Sequence, residues 1–133
     1  MAASYVLVVD DDPAIRGLVG DALRSEGYTV DLAAHGREAL DAMRARRPST
    51  VVLDLMMPVM DGWAFAEACR RVTGAVEIPI IVVSAGHGLV QASEQLRAFG
   101  VRACLAKPFD LEMLAATATT LAEREEAVIA AAS

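Results

Sequence analysis

The sequence predicts an α/β domain built on a doubly wound, five-stranded parallel sheet with helices on both faces. Two observations lead there. Short apolar runs alternate with stretches of helical period five times along the 133 residues. The three expected central strands, Tyr5 to Val9, Thr50 to Asp54 and Pro79 to Val83, are apolar on both faces. Strands of that kind are buried on both sides, and they belong to parallel sheets covered by helices. The crossovers between them must be right-handed.

Taken in order, the first strand ends in Asp10-Asp11-Asp12-Pro13. Asp12 suits an N-cap and Pro13 the first helical position, for a helix with Ile15, Leu18, Val19, Ala22 and Leu23 inward. Gly27 suits a left-handed stop. Tyr28 to Ala33 alternates, with Tyr28, Val30 and Leu32 on one face, as an edge strand does. A helix over Gly36 to Arg46 turns Ala39, Leu40 and Met43 inward and its basic residues outward. The Asp54 strand follows, then a helix over Gly62 to Val72. The fourth strand ends at Ser84-Ala85, and Gly86-His87-Gly88 leads into a helix from Leu89 to Phe99. Arg102 to Ala106 is a short fifth strand ending in Lys107-Pro108-Phe109. Asp110 caps a last helix through Leu111, Leu114, Ala118 and Leu121.

Composition narrows the function. The chain is 55% hydrophobic and 23% charged, with a net charge of −6, which is globular and acidic. Nucleic acid and anionic membrane are therefore not expected as direct partners. No apolar stretch approaches the ~20 residues of a membrane span, and no basic region precedes an apolar one at the N-terminus. Cys69 and Cys104 lack CxxC spacing and read as buried free thiols in a reducing cytoplasm.

The chemistry gathers at the carboxyl ends of the strands, where open α/β sheets bind ligands. Those ends carry Asp10, Asp11 and Asp12 from strand one, Asp54 from strand three, Ser84 from strand four and Lys107 from strand five. Asp54 is the key group. A carboxylate that ends a fully apolar strand is costly to bury without partners, and Leu55-Met56-Met57 does not begin an amphipathic helix that it might cap. Carboxylates held together repel unless a cation intervenes. Oxygen donors without His or Cys select a hard ion, and Mg2+ is the usual one where a phosphate also binds. A lysine and a hydroxyl across the pocket suit a phosphoryl group. Asp12, with Pro13 behind it, is read as a cap in preference to a metal ligand, and Asp61 as a turn residue. His35 and His87 are read as surface residues.

On Val8-Val9-Asp10-Asp11-Asp12, Leu53-Asp54-Leu55-Met56-Met57-Pro58 with Met60-Asp61-Gly62, Ser84-Ala85 and Lys107-Pro108-Phe109, the chain resembles the receiver domain of two-component response regulators. The resemblance covers Tyr5 to about Leu121. It implies strand order 2-1-3-4-5, a cis Lys107–Pro108 bond, and Asp54 as the acceptor of phosphate from a histidine kinase or phosphotransfer protein. It also implies that Asp10, Asp11, Asp54 and the Met56 carbonyl hold Mg2+, while Ser84 and Lys107 contact the phosphoryl group. Such a domain is a cytoplasmic phosphorylation switch. It catalyses only its own phosphorylation and dephosphorylation.

Two features depart from the usual pattern. Many receivers carry Tyr or Phe three residues before the lysine, where this chain has Cys104. Residues 1–122 are expected to form the receiver, and 123–133 a helical extension or tail, with Leu114, Leu121 and Val128 seven apart. The chain then reads as a stand-alone receiver acting on a downstream protein, or as one cut at a helical linker from a hybrid kinase or from a longer regulator with an output domain. Two other classes fit less well. A Mg2+-dependent phosphohydrolase with an aspartate nucleophile would want a second Asp two residues after Asp54, where Met56 stands. A nucleotide-binding module would want a full glycine fingerprint, and Gly86-His87-Gly88 is followed by Gln91 at the third position.

Overall fold

The computed structural model describes residues 5–54, 64, 68, 71, 78–84, 101–106 and 110–132, with backbone alone at 84, 101, 102, 104, 106 and 122–132. The elements are β1 (Tyr5–Val9), α1 (Pro13–Ser25), β2 (Thr29–Ala33), α2 (Gly36–Ala45), β3 (Thr50–Asp54), β4 (Ile80–Ser84), β5 (Val101–Ala106) and α3 (Leu111–Ala132). The strands form one parallel sheet in the order β2-β1-β3-β4-β5. Ala64, Ala68 and Arg71 are helical. The rest of the helix expected over 62–72, the helix expected over 89–99, and the Lys107–Pro108 bond lie outside the described residues.

Strand periodicity sends alternate residues to opposite faces, and each face has its own core. Tyr5, Leu7, Val9, Val51, Leu53, Ile80 and Val82 meet Ala39, Leu40 and Met43 of α2, with Ala68 packed against them. Val6, Val8, Val30, Val52, Ile81 and Val83 meet Val19 and Leu23 of α1 and Leu114, Ala115, Ala118 and Leu121 of α3. Helices therefore cover both faces, as the doubly apolar strands require.

The helix ends follow from single residues. Asp12 Oδ1 accepts from the amides of Ala14 and Ile15, and Pro13 occupies the first position. At the other end Gly27 adopts φ 95. Its amide donates to the Arg24 carbonyl, and that of Tyr28 donates to the Leu23 carbonyl. This is a Schellman closure, which only a residue free to enter the left-handed region completes without strain. Asp110 caps α3 through the Glu112 amide at 2.8 Å.

One apolar residue expected inside, Leu18, lies outside, and Leu32 of the edge strand is exposed as well. Leu18 is 54% exposed and Leu32 is 41% exposed. The buried stripe of α1 is narrow, running along Val19 and Leu23 with Gly20 beside it, and Leu18 falls off it. Leu32 lies across Gly20, where a β-carbon would meet its Cδ2 at 3.0 Å. Glycine gives Leu32 a resting place but no side chain to cover it. At this edge of the sheet, Arg24 Nη2 also donates to the Val30 carbonyl at 3.4 Å.

β5 pairs with β4 through an irregularity. Ile80 stands opposite Val101, but Ile81 stands opposite Ala103. Arg102 is the extra residue of a β-bulge. The offset sets Ala106, the residue before Lys107, level with Ser84.

At the opposite end of the sheet, Tyr5 joins β1 to α2. Its hydroxyl donates to the Arg46 carbonyl at 2.5 Å, and its ring lies under the Arg46 guanidinium, 4.1 Å from the ring centroid. Burial chiefly, with the Asp31 carboxylate adding to it and Arg46 opposing, pushes the phenol from its ordinary 10.0 up to about 12. The neutral phenol is thus favoured in the folded state. That stability is fully present below pH 10 and is lost as pH rises toward 12. Tyr5→Phe is expected to lower stability at neutral pH by about 1 kcal/mol and to flatten this alkaline loss, as read from urea unfolding at stepped pH.

Thr50 presents the reverse case. Its hydroxyl is buried at the start of β3, on the residue opposite Val6, and has no hydrogen-bond partner among the described residues. An unmet buried hydroxyl is costly, and a valine of the same shape removes the cost. Thr50→Val should raise unfolding stability by about 1 kcal/mol, measured by the urea midpoint at unchanged slope.

Candidate functional site

β1 and β3 are neighbours, with Val9 opposite Leu53. The next residue of each chain segment is an aspartate, so Asp10 and Asp54 end side by side. Both are buried, at 2% and 4% exposure. Asp11 is exposed at the rim. One carboxylate oxygen from each of Asp10, Asp11 and Asp54 lies within 4.8 Å of the others. Three oxygen donors that close would repel one another, and a hard divalent cation is what such a set accommodates. Mg2+ fits these residues on donor chemistry.

The turn after β1 is held from several directions. The Asp10 amide donates to the Ala33 carbonyl of β2 at 3.1 Å. Asp10 Oδ1 accepts from the Asp12 amide at 2.9 Å. The Arg16 guanidinium donates to the Asp10 carbonyl at 2.8 Å. Asp12 spends its own carboxylate on the end of α1 and is not one of the three grouped carboxylates.

Of the other expected site residues, Ser84 ends β4, one position beyond Val83, which stands opposite Asp54. The backbone thus brings Ser84 to the same edge. Met56 and Lys107 lie outside the described residues, although Lys107 directly follows Ala106, the partner of Ser84. His87 also lies outside them. His35, read as a plain surface residue, is instead the N-cap of α2. It is half-buried, and its Nδ1 accepts from the Glu38 amide at 3.4 Å, while Glu38 Oε1 accepts from the Ala34 amide at 2.9 Å. The signal was the spacing of His35 and Glu38, which resembles a capping box with imidazole in place of a hydroxyl and the carboxylate reaching the amide one residue before the cap. Arg16 was missed as well, because a guanidinium that reaches back to a carbonyl leaves no trace in periodicity.

The family model for the response regulator receiver domain matches residues 6–119. The chain belongs to that family. The receiver is 45% identical over 121 residues to the response regulator MprA of Mycolicibacterium vanbaalenii, covering 90% of this chain and 50% of that protein. It is 41% identical over 129 residues to MprA of Mycobacterium tuberculosis, covering 96% of this chain and 54% of the other. The receiver thus spans about half the length of the curated relatives it matches. Among solved structures, the chemotaxis protein CheY4 of Vibrio cholerae superposes with a TM-score of 0.81 at 34% identity, over 90% of this chain and 99% of that one. These relatives are response regulators and receivers, and they lend no support to the phosphohydrolase alternative.

The division of labour between adjacent aspartates is testable. Asp11→Asn should weaken Mg2+ binding by at least about tenfold, whereas Asp12→Asn should leave it near wild type. Asn caps a helix about as well as Asp, so Asp12→Asn should also cost less than about 0.5 kcal/mol of stability. Calorimetric Mg2+ titration compares the two. Equal losses would reverse the assignment.

Proposed function

We propose that this receiver accepts a phosphoryl group on Asp54 from the phosphohistidine of a sensor histidine kinase or phosphotransfer protein. The acyl phosphate then alters its affinity for a downstream protein or an attached output domain. One observation carries this reading: Asp54 is a buried strand-end carboxylate with an oxygen within 4.8 Å of oxygens of Asp10 and Asp11. The strand order β2-β1-β3-β4-β5 supports it, since β1 and β3 flank the point where the order reverses and ligands bind.

In the step itself an Asp54 carboxylate oxygen attacks phosphorus in line. The new O–P bond forms as the P–N bond to the donor imidazole breaks, and the electron pair leaves with the imidazole nitrogen. Asp10, Asp11 and Asp54, with the Met56 carbonyl, would hold Mg2+, which when bound neutralises charge on the transferring oxygens. The Ser84 hydroxyl is assigned to hydrogen-bond one phosphoryl oxygen and the Lys107 ammonium to pair with another. Burial of Asp54 keeps the carboxylate in one orientation, and the turn held by Asp12 and Ala33 does the same for Asp10. The chemistry is positioning and charge compensation more than covalent assistance.

Residues 1–122 are assigned to the receiver body and 123–133 to its helical extension. Buried Leu114, Ala118 and Leu121 tie the first part of α3 to the sheet, and the helix continues to Ala132. Among the described residues no helix is long and apolar enough to cross a membrane. A cytoplasmic location follows from the proposed kinase partner.

Incubation with acetyl phosphate and Mg2+ should label the wild-type chain with about one phosphate, as a self-modified nucleophile requires. Asp54→Ala should take none, while His35→Ala and His87→Ala should label normally. Label that persists in Asp54→Ala, stable to base and labile to acid, would move the acceptor to a histidine. Release of many phosphates per chain would make the protein a phosphohydrolase.

A further inference from the structure

Arg16 sits in the first turns of α1, half-buried, and binds the acidic turn twice. Its amide donates to the Asp12 carbonyl at 2.9 Å, as the first helical bond. Its Nη1 donates to the Asp10 carbonyl at 2.8 Å. The Asp12 amide in turn donates to Asp10 Oδ1 at 2.9 Å. These three bonds close a ring through Asp10, Asp12 and Arg16, and Asp11 is carried within it. The guanidinium touches a backbone carbonyl, and within 4.0 Å it makes no ion pair with the carboxylates of that turn.

We propose that Arg16 is a positioning residue of the phosphoryl-transfer site, clamping the turn between β1 and α1 so that the Asp10 and Asp11 carboxylates converge on Asp54 before a cation binds. The inference rests on the receiver reading above. Its physical basis is the cost of assembling like charges. Three carboxylates with oxygens within 4.8 Å push one another apart, and a turn held in place opposes that force before a cation binds. Asp54 is fixed by its strand, which pairs with β1 and β4. Asp10 and Asp11 lie just beyond a strand end and depend on the turn. Tying the Asp10 carbonyl to α1 makes the helix the anchor. A site assembled in advance binds its cation without paying for the ordering at that moment.

A purely electrostatic role for Arg16 predicts the opposite sign. Removing a positive charge near three carboxylates would then tighten Mg2+ binding. The clamp predicts weaker binding. The two are separated by titrating Mg2+ calorimetrically into the full chain, wild type against Arg16→Met and Arg16→Lys. Arg16→Met should bind about tenfold more weakly, as loss of a support behind a metal ligand does. Arg16→Lys, which keeps one donor of similar reach, should recover to within about threefold of wild type.

A second measurement needs no metal. Amide exchange at Asp12, whose N–H binds Asp10 Oδ1, should be faster in metal-free Arg16→Met than in wild type. The Mg2+ concentration needed for half-maximal labelling by acetyl phosphate should rise by the same factor as the dissociation constant. If Arg16→Met loses its native circular dichroism, Arg16→Gln replaces it, with a weakening between those of the other two variants. Unchanged or tighter Mg2+ binding in a folded Arg16→Met or Arg16→Gln overturns the clamp. A wild-type chain that binds no Mg2+ overturns the receiver site itself, and the two failures are distinct.

Discussion

Val9 of β1 stands opposite Leu53 of β3, and that pairing decides where two carboxylates meet. Parallel strands end on the same edge, so a polar residue placed just after each run comes to its neighbour without any further instruction. Sliding β1 by one residue against β3 would turn its side chains to the wrong faces. Val6 and Val8 would leave the α1–α3 core, and Tyr5, Leu7 and Val9 would leave the α2 core. Two full hydrophobic layers thus enforce the register that the site needs. The carboxylates are held level by the packing of two apolar cores.

The turn after β1 shows how a polar edge is kept rigid above an apolar sheet. Asp10 is fastened through its amide, its carbonyl and one carboxylate oxygen. Asp12 links this fastening to the end of α1. Asp11, between them, is left exposed to solvent. Three aspartates in a row thereby have three different environments, set by one helix start.

Much of this was legible in the sequence, for identifiable reasons. Doubly apolar strands announce a covered parallel sheet, and Asp12-Pro13, Gly27 and Asp110 mark helix ends by local chemistry. Asp10, Asp11 and Asp54 could be grouped because parallel topology maps strand ends onto one edge. Leu18 misled because helical period reports a direction, not how wide the buried stripe of the helix is. Gly20 lets α1 and β2 approach while leaving Leu32 uncovered. Arg16 was invisible for another reason. Its role depends on which backbone group lies within reach of a guanidinium, and no residue pattern encodes that reach.

The outer margin of β2 has a consequence for life among close relatives. An edge strand offers unpaired backbone groups to any passing strand, and proteins of this family share one sheet design. Here Arg24 lies on the Val30 carbonyl, and Thr29 and Asp31 are exposed along the same strand. A guanidinium on the Val30 carbonyl and an exposed carboxylate beside it make that margin a poor template. Sister chains that are crowded together while still folding would find no ready seam there along which to join. An arginine from the last turn of α1 thereby blunts the open edge of the sheet.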